Sequence, residues 1–304
     1  MKIRSLVALG IVLGVAASMV WFGEPPSRQT SPEADAPPER VICASPSAAE
    51  IVYALNEGDR VVGVSDFTAY PPEARRVANI GGYINPNFER ILALRPGLII
   101  TQGKSESLTA FCQREGIELL RIDMTDIETI LADIQAVGEV LGATQAAKQK
   151  VQEIRTQLSR IENQAPDEDD PLSVFLCLGR RGSSLTNLMT TGGDTFLSEI
   201  VEIAGGKNIY QDLKDQYPDV SSESLLRRAP EVIVEFRIEA PLDDSPPKTR
   251  EQLLEEWRAM EGLPAVQAER IYLVTEDYFL IPGPRIVQAA GRMVDLLHAQ
   301  PPQP

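Results

Sequence analysis

Residues 87–100 read NFERILALRPGLII and residues 221–234 read SSESLLRRAPEVIV, and the pattern shared by these two segments decides the fold. In both, a glutamate begins a short helical run, a leucine lies three residues later, a proline lies seven residues later, and an apolar strand-like run follows. Repetition of such a unit within one chain indicates two similar structural halves. Glu89 and Glu223 therefore occupy the same place in two predicted lobes.

Short apolar runs alternate with helical patterns on both sides of these segments. The strand-like runs of the first half are RVICAS, RVVGVS, GLIIT and IELLRI, and those of the second half are LSVFLCL, EVIVEF and RIYLVT. The helical patterns lie at 46–56, 88–94, 108–115, 195–204, 222–228, 250–260 and 284–298. This alternation predicts parallel β–α units, with one Rossmann-like α/β lobe over 40–124 and another over 172–299.

The connection between the lobes, residues 125–163, is predicted to be helical. Thr125 and Glu128 have the spacing of a capping box, and apolar residues then recur at helical spacing up to Leu141. Gly142 interrupts the pattern, and a second helical run follows. We therefore expect two α/β lobes that are joined by a long rigid interlobe helix, with a ligand cleft between the lobes.

The N-terminus has the features of an export segment. Lys2 and Arg4 precede an uncharged, largely apolar stretch over residues 5–23. Residues 1–23 are therefore either a cleaved signal peptide or an uncleaved anchor, which would contact the membrane through residues 5–23. Residues 24–39 are rich in proline and charge and are predicted to be a semi-extended linker.

The composition excludes several classes of function. The 304 residues carry a net charge of −15, so a nucleic acid partner is not expected, because phosphate binding requires basic patches. The single histidine, His298, lies near the C-terminus and cannot build a multi-histidine metal site. A Ser–His–acid triad would depend on the same residue, and the G-x-S-x-G motif is absent. We predict that the protein is not an enzyme and has no cofactor or metal of its own.

The cysteines have no Cys-x-x-Cys spacing. Cys43, Cys112 and Cys177 are predicted to be small buried hydrophobic residues. The alternative, in an oxidising compartment, is one disulfide between two of them.

Glu89 and Glu223 have both a local and a functional interpretation. A glutamate in the first helical turn is favoured by the helix dipole by about 0.3–1 kcal/mol, which accounts for either residue alone. Their recurrence in register predicts two matched exposed carboxylates on one face of the molecule. Such a pair suits docking onto two arginine-lined sockets of a pseudo-symmetric partner.

From about Arg40 to His298 the chain resembles the periplasmic binding proteins for cobalamin, haem and ferric siderophores, which share a long interlobe helix. RVICASPSAAEIVYAL, VVGVSDFTAYPP and GGYINPNFERILALRP are most similar to the cobalamin-binding branch. The resemblance implies an extracytoplasmic subunit that captures cobalamin or a related corrinoid and delivers it to the permease of an ABC transporter. In that family two glutamates contact arginines of the permease, a role that falls here on Glu89 and Glu223.

The resemblance also implies the ligand contacts. Matching the segments of the cobalamin-binding branch places ligand-facing side chains at Phe67, Tyr83, Tyr217, Asp277 and Tyr278. Tyr70 is added because it follows the strand VVGVS, and open α/β sheets bind ligands at the carboxyl ends of strands. A corrin requires a broad apolar surface and a few polar groups for its amide rim, which loop aromatics supply. Loop packing accounts equally well for any one of these aromatics.

The residue at position 83 leaves the identity of the ligand undecided. Tyr83 stands where the best-known cobalamin binders have an indole, and haem binders use a tyrosine near this position as an iron ligand. Haem or a ferric siderophore is therefore an alternative ligand, and a membrane-tethered sensor that has lost transport is an alternative function. We expect a monomer in the periplasm or another extracytoplasmic compartment, with a small-molecule metal chelate as ligand.

Overall fold

The computed structural model describes residues 36–83, 85–166, 170–180, 185–237 and 248–298. The described fold belongs to one compact unit, Pro37–Pro304. The predicted export segment at 1–23, with its membrane contact at 5–23, lies outside the described residues. Within the described ranges, no helix combines the length and apolar character needed to cross a bilayer.

The first lobe is built on a five-stranded parallel sheet with the order β3-β2-β1-β4-β5. Its strands are β1 (Val41–Cys43), β2 (Val61–Val64), β3 (Ala78–Asn79), β4 (Leu98–Gln102) and β5 (Glu118–Ile122). Every residue of the central β1 is buried, because helices cover both faces of a parallel sheet. The strand order reverses between β1 and β4, so this lobe has a topological switch point there.

Three helices accompany this sheet: α1 (Pro46–Ala54), α2 (Phe88–Leu94) and α3 (Glu106–Glu115). Each begins at a polar residue whose side chain accepts a hydrogen bond from a backbone N–H of the first turn. The capping residues are Ser45, Asn87 and Ser105.

Two antiparallel-packed helices, α4 (Ile127–Val140) and α5 (Thr144–Glu162), form the connection between the lobes. Gly142 separates them and has a positive φ of +71°, a conformation that glycine adopts without strain. A Cβ at Gly138 would lie 2.4 Å from the Cβ of Ala147, so only a glycine permits this helix crossing. Because α4 packs against α1 and α5 packs against helices of the second lobe, α5 carries the chain from one lobe to the other.

The predicted capping box of α4 is wrong by one residue. Asp126 is the N-cap: its carboxylate accepts from the N–H of Thr129, and the Thr129 hydroxyl accepts from the N–H of Asp126. Thr125 instead donates its hydroxyl proton to Asp123, and its carbonyl oxygen accepts from the N–H of Phe196 in the second lobe. The predicted cap residue thus makes a contact between the lobes.

The second lobe has a four-stranded parallel sheet with the order β12-β11-β6-β9. Its strands are β6 (Leu172–Cys177), β9 (Gly206–Asn208), β11 (Val232–Phe236) and β12 (Ile271–Val274). A small sheet adds β7 (Gly179–Arg180), β8 (Asn187–Met189) and β10 (Asp219–Ser221), in which β8 is antiparallel to both β7 and β10. The helices are α6 (Phe196–Ile203), α7 (Ser222–Arg228), α8 (Arg250–Arg258), α9 (Pro264–Gln267) and α10 (Ile286–His298).

One continuous hydrophobic core runs through both lobes. It includes Val41 of β1, Ile134 of α4, Ile154 of α5 and Val234 of β11, each of them almost fully buried. Two smaller clusters lie within the individual lobes. The predicted two-lobed α/β fold is confirmed, and its lobes share buried apolar contacts. The exact lobe boundaries stay predictions.

Candidate functional site

Both parallel sheets have a switch point, and the loops that leave their strands at the carboxyl ends meet. In the second sheet the order reverses between β6 and β11. Glu50 lies in α1, the helix that follows β1; Tyr70 lies in the loop after β2, and Asp277 lies just after β12. All three contact the guanidinium group of Arg285. The carboxyl ends of the two sheets therefore face one shared region between the lobes.

Arg285 is the central polar residue of this region. Its Nε donates to Glu50 Oε2 at 3.0 Å, a second nitrogen donates to Glu50 Oε1, and a third donates to Asp277 Oδ1 at 2.7 Å. Glu50 is only 3% exposed and Arg285 only 7%. Asp277 is half-exposed, so part of its carboxylate stays accessible to a ligand.

These contacts affect the ionisation of both buried groups. Burial raises the pKa of Glu50 above its ordinary value, and the hydrogen bonds and charge of Arg285 oppose that rise. Burial also acts to lower the pKa of Arg285, but the hydrogen bonds to Glu50 and Asp277 outweigh it and leave this pKa raised. Arg285 is therefore a permanent cation held between carboxylates of two lobes.

Two of the predicted ligand aromatics stack on the same guanidinium group. Arg285 Cζ lies 4.2 Å from the ring centroid of Tyr70 and 5.7 Å from that of Tyr278. The Tyr278 ring also packs against Phe279, with the centroids 5.2 Å apart. Tyr70, Asp277 and Tyr278, which the sequence predicted to bind ligand, are thus brought together by Arg285.

The sequence interpretation missed Arg285 and Glu50, although Glu50 carried a signal. It is the one charged residue in the run SAAEIVYAL, on the buried face of α1 beside Ile51 and Val52. A charged side chain is almost never fully buried without a partner, so its position called for a cation elsewhere in the fold.

Phe67 and Tyr83 lie on two loops that hydrogen bonds join. The N–H of Asp66 donates to the carbonyl oxygen of Gly81 at 3.0 Å, and Asn79 Nδ2 donates to Asp66 Oδ1 at 2.9 Å. Phe67 is 79% exposed and has a φ of +64°, which is unfavourable for a bulky residue. An exposed aromatic side chain held in a strained conformation is typical of a binding site.

The Tyr83 hydroxyl lies beside the segment that follows β4 in the first lobe. It donates to the carbonyl oxygen of Lys104 at 2.6 Å. Tyr83 follows β3 and Lys104 follows β4, and β2 and β1 lie between those two strands in the sheet. This hydrogen bond therefore joins the segments that follow β3 and β4.

Tyr217 is exposed in the segment before β10, and its N–H donates to Asp215 Oδ1 at 3.3 Å. No hydrogen bond or ring contact links it to the other five predicted ligand residues in the part of the chain that the structure describes. Its role stays a prediction, as do the ligand roles of the other five.

A cavity of about 500 Å³ opens beside the ion pair, between α1, α5 and the start of α10. Its lining includes Tyr70 and Arg285, but also the carboxylates of Glu50, Glu73 and Glu153. A flat apolar guest fits such a lining poorly. The exposed aromatics at the strand ends are the better candidate surface.

The switch point of the second lobe is occupied by a buried ion network. Arg180 donates to Glu235 Oε2 at 2.6 Å and also to Glu256, and Trp257 Nε1 donates to the same Glu235 oxygen at 2.6 Å. The charge of Arg180 is thus neutralised within the lobe, and its side chain is buried.

Glu89 and Glu223 lie on two helices of the same design. Both α2 and α7 have seven residues, one buried residue each (Ile91 and Leu225), and a left-handed C-cap that precedes a proline. Both glutamates are exposed in the first turn. Glu223 is 86% exposed and pairs with Arg227 at 3.1 Å. The two matched exposed carboxylates predicted from the repeat thus lie on equivalent helices.

Comparison with known proteins agrees with this architecture. A family model described as "Periplasmic binding protein" matches residues 41–278. A vitamin B12-binding protein of Photorhabdus laumondii is 33% identical over 270 residues, which covers 86% of this chain and 89% of that protein.

Two solved structures show the same fold. The periplasmic vitamin B12 binding protein BtuF of Vibrio cholerae is 26% identical, with a TM-score of 0.71 over 88% of this chain and 99% of that chain. The periplasmic heme-binding protein RhuT of Roseiflexus sp. RS-1 is 23% identical, with a TM-score of 0.72 over 86% of this chain and 98% of that chain. At that lower identity the second similarity shows the fold alone.

Proposed function

Because the chain belongs to the periplasmic binding protein family, we propose that it captures cobalamin or a related corrinoid and delivers it to an ABC permease. Members of this family bind small-molecule ligands outside the cytoplasm and work with ABC transporters. Membership of a solute-binding family supports a binding role for this chain.

The exposed aromatic side chains are the observation that supports a flat ligand. Six large apolar or aromatic side chains are exposed among the described residues, and four of them are the predicted ligand aromatics: Phe67, Tyr70, Tyr83 and Tyr217. Exposed aromatic rings at strand ends offer the broad apolar surface that the face of a corrin requires. The accessible part of the Asp277 carboxylate is a hydrogen-bond acceptor for an amide on the rim of the ring.

Haem or a ferric siderophore is the alternative ligand, since Tyr83 offers a phenolic oxygen that can bind iron. Its hydroxyl proton, however, is donated to the carbonyl oxygen of Lys104. Ligation of iron by the phenolate would break this hydrogen bond and leave the exposed carbonyl oxygen to be hydrated by water. The corrinoid is preferred because a relative that is 33% identical to this chain is a vitamin B12-binding protein. A tethered sensor that has lost transport would depend on residues 1–23, which lie outside the described residues.

Calorimetric titration of the full chain with cyanocobalamin and absorbance titration with haemin test the proposal. We expect saturable one-to-one binding of cyanocobalamin, and no tyrosinate-to-iron charge-transfer band with haemin. Tyr83→Phe keeps the ring, so it should retain cyanocobalamin binding. A charge-transfer band that disappears in Tyr83→Phe would instead identify a haem protein. No heat of binding at tens of micromolar cyanocobalamin would refute the proposed ligand.

We further propose that Glu89 and Glu223 dock the loaded protein onto arginines of the permease. Their placement on equivalent exposed helices of the two lobes supports this role. A permease with two similar halves would present one basic socket to each carboxylate.

A further inference from the structure

Two exposed large side chains remain after the four aromatics are assigned to the ligand. They are Leu92 and Leu226, each 43% exposed. Single exposed leucines are common on protein surfaces and require no explanation. These two, however, are the only exposed large aliphatic side chains in the described ranges, and they lie at the same position of the two equivalent helices.

Helix geometry places each leucine beside a glutamate. Leu92 follows Glu89 by three residues and Leu226 follows Glu223 by three residues. At about 100° per residue, side chains three apart lie about 60° from each other around the helix axis and are neighbours on one face. The buried residues of these helices, Ile91 and Leu225, point to the lobe interior. Each helix thus presents one carboxylate and one isobutyl group side by side to the solvent.

The positions around the glutamate and the leucine are not shared by the two helices. Between the glutamate and the buried residue, α2 has Arg90 and α7 has Ser224; after the leucine, α2 has Ala93 and α7 has Arg227. The two helices therefore differ in charge and size around a shared glutamate and leucine. Burial in the lobe explains Ile91 and Leu225, but it does not explain a large apolar group on the solvent side.

We propose that each lobe docks through a two-part contact, Glu89 with Leu92 and Glu223 with Leu226, in which the leucine enters an apolar socket beside a permease arginine. This inference rests on the proposed delivery to a permease. An ion pair in open water contributes little, because solvent screens it. An apolar group that excludes water from the neighbouring ion pair strengthens that pair and adds its own burial.

The test is binding of the full chain, loaded with cyanocobalamin, to the ABC permease–ATPase complex of the source organism in lipid nanodiscs. Biolayer interferometry would compare wild type, Leu92→Ser/Leu226→Ser, Leu92→Met/Leu226→Met and Glu89→Arg/Glu223→Arg. Methionine keeps an apolar side chain of similar volume, so it is the matched control for serine. Thermal unfolding and cyanocobalamin affinity of each variant would exclude misfolding as the cause of lost docking.

We expect the serine variant to bind the complex at least about tenfold more weakly, because hiding a leucine from water is worth on the order of one decade in a binding constant. The methionine variant should stay within about threefold of wild type. If the serine variant binds like wild type while the arginine variant does not bind, the leucine contact is wrong and the docking function stands. If wild type itself fails to bind, or the arginine variant binds equally well, both the inference and the proposed docking fail.

Discussion

The carboxylate of Glu50 and the guanidinium of Arg285 form a buried ion pair with two hydrogen bonds, between residues that are 235 positions apart in the chain. Glu50 lies on the first helix of the first lobe, and Arg285 immediately precedes the last helix of the second. The same guanidinium stacks on Tyr70 and on Tyr278. The Arg285 guanidinium therefore links the two lobes on this side and also contacts two candidate ligand aromatics.

Removing the cation alone should be costly for stability. In Arg285→Met the Glu50 carboxylate stays buried without a counter-charge, and we expect the free energy of unfolding to fall by about 3–5 kcal/mol. In Glu50→Leu/Arg285→Met the charge is removed from both sides, so most of the loss should be regained. Urea denaturation of both variants measures this. A loss below about 1 kcal/mol in the single variant would mean that the pair behaves like a surface ion pair.

Replacing Phe67 by glycine should stabilise the fold and weaken ligand binding. Its φ of +64° costs about 1 kcal/mol for a residue with a Cβ, and its exposed ring contributes little packing. We expect Phe67→Gly to raise the free energy of unfolding by about 1 kcal/mol and to weaken cyanocobalamin binding about tenfold. Phe67→Ala is the matched control, since it removes the ring but keeps the strain. Equal stability of the glycine and alanine variants would contradict the strain argument.

The sequence predicted the repeated fold well because the decisive patterns are local. The helix predicted at 88–94 has those bounds in the structure, and seven of the nine strands in the two parallel sheets lie in the predicted apolar runs or within one residue of them; β3 and β9 were not predicted. The elements that were missed are very short. β3 and β7 have two residues each and β8, β9 and β10 have three each, so they are too short for an alternating pattern to repeat. Their pairing depends on neighbouring strands, which a single sequence does not show.

The candidate site was predictable only in part, for a different reason. Loop aromatics that follow strands can be found from the chain alone, and so can two glutamates in equivalent helices. The partner of Glu50 cannot, because nothing local links an acidic residue on α1 to an arginine before α10. A glutamate among apolar residues of α1 indicates that a cationic partner is needed. Only the folded structure shows that this partner is Arg285.

The three cysteines should be inert in the folded protein. Cys43, Cys112 and Cys177 are all buried and free of disulfides in the structure. Burial raises the pKa of each thiol above its ordinary value, so the reactive thiolate is scarce at pH 8. We expect Ellman's reagent to find no reactive thiol in the native protein and, because the chain has three cysteines, three in guanidinium chloride. Fewer than three after unfolding under non-reducing conditions would reveal a disulfide.

The two docking carboxylates differ in one respect that kinetics can detect. Glu223 pairs with Arg227 four residues later, whereas Glu89 forms no ion pair with any other described residue. Arg227 thus competes with a permease arginine for Glu223, and Arg227→Ala should increase the association rate with the permease complex by about two- to threefold at low salt. The gain should shrink as salt screens the charges. Arg114→Ala is the matched control, since it removes an equal surface charge from α3 that pairs with Glu115. If Arg227→Ala slows association instead, Arg227 contacts the permease itself and does not compete with it.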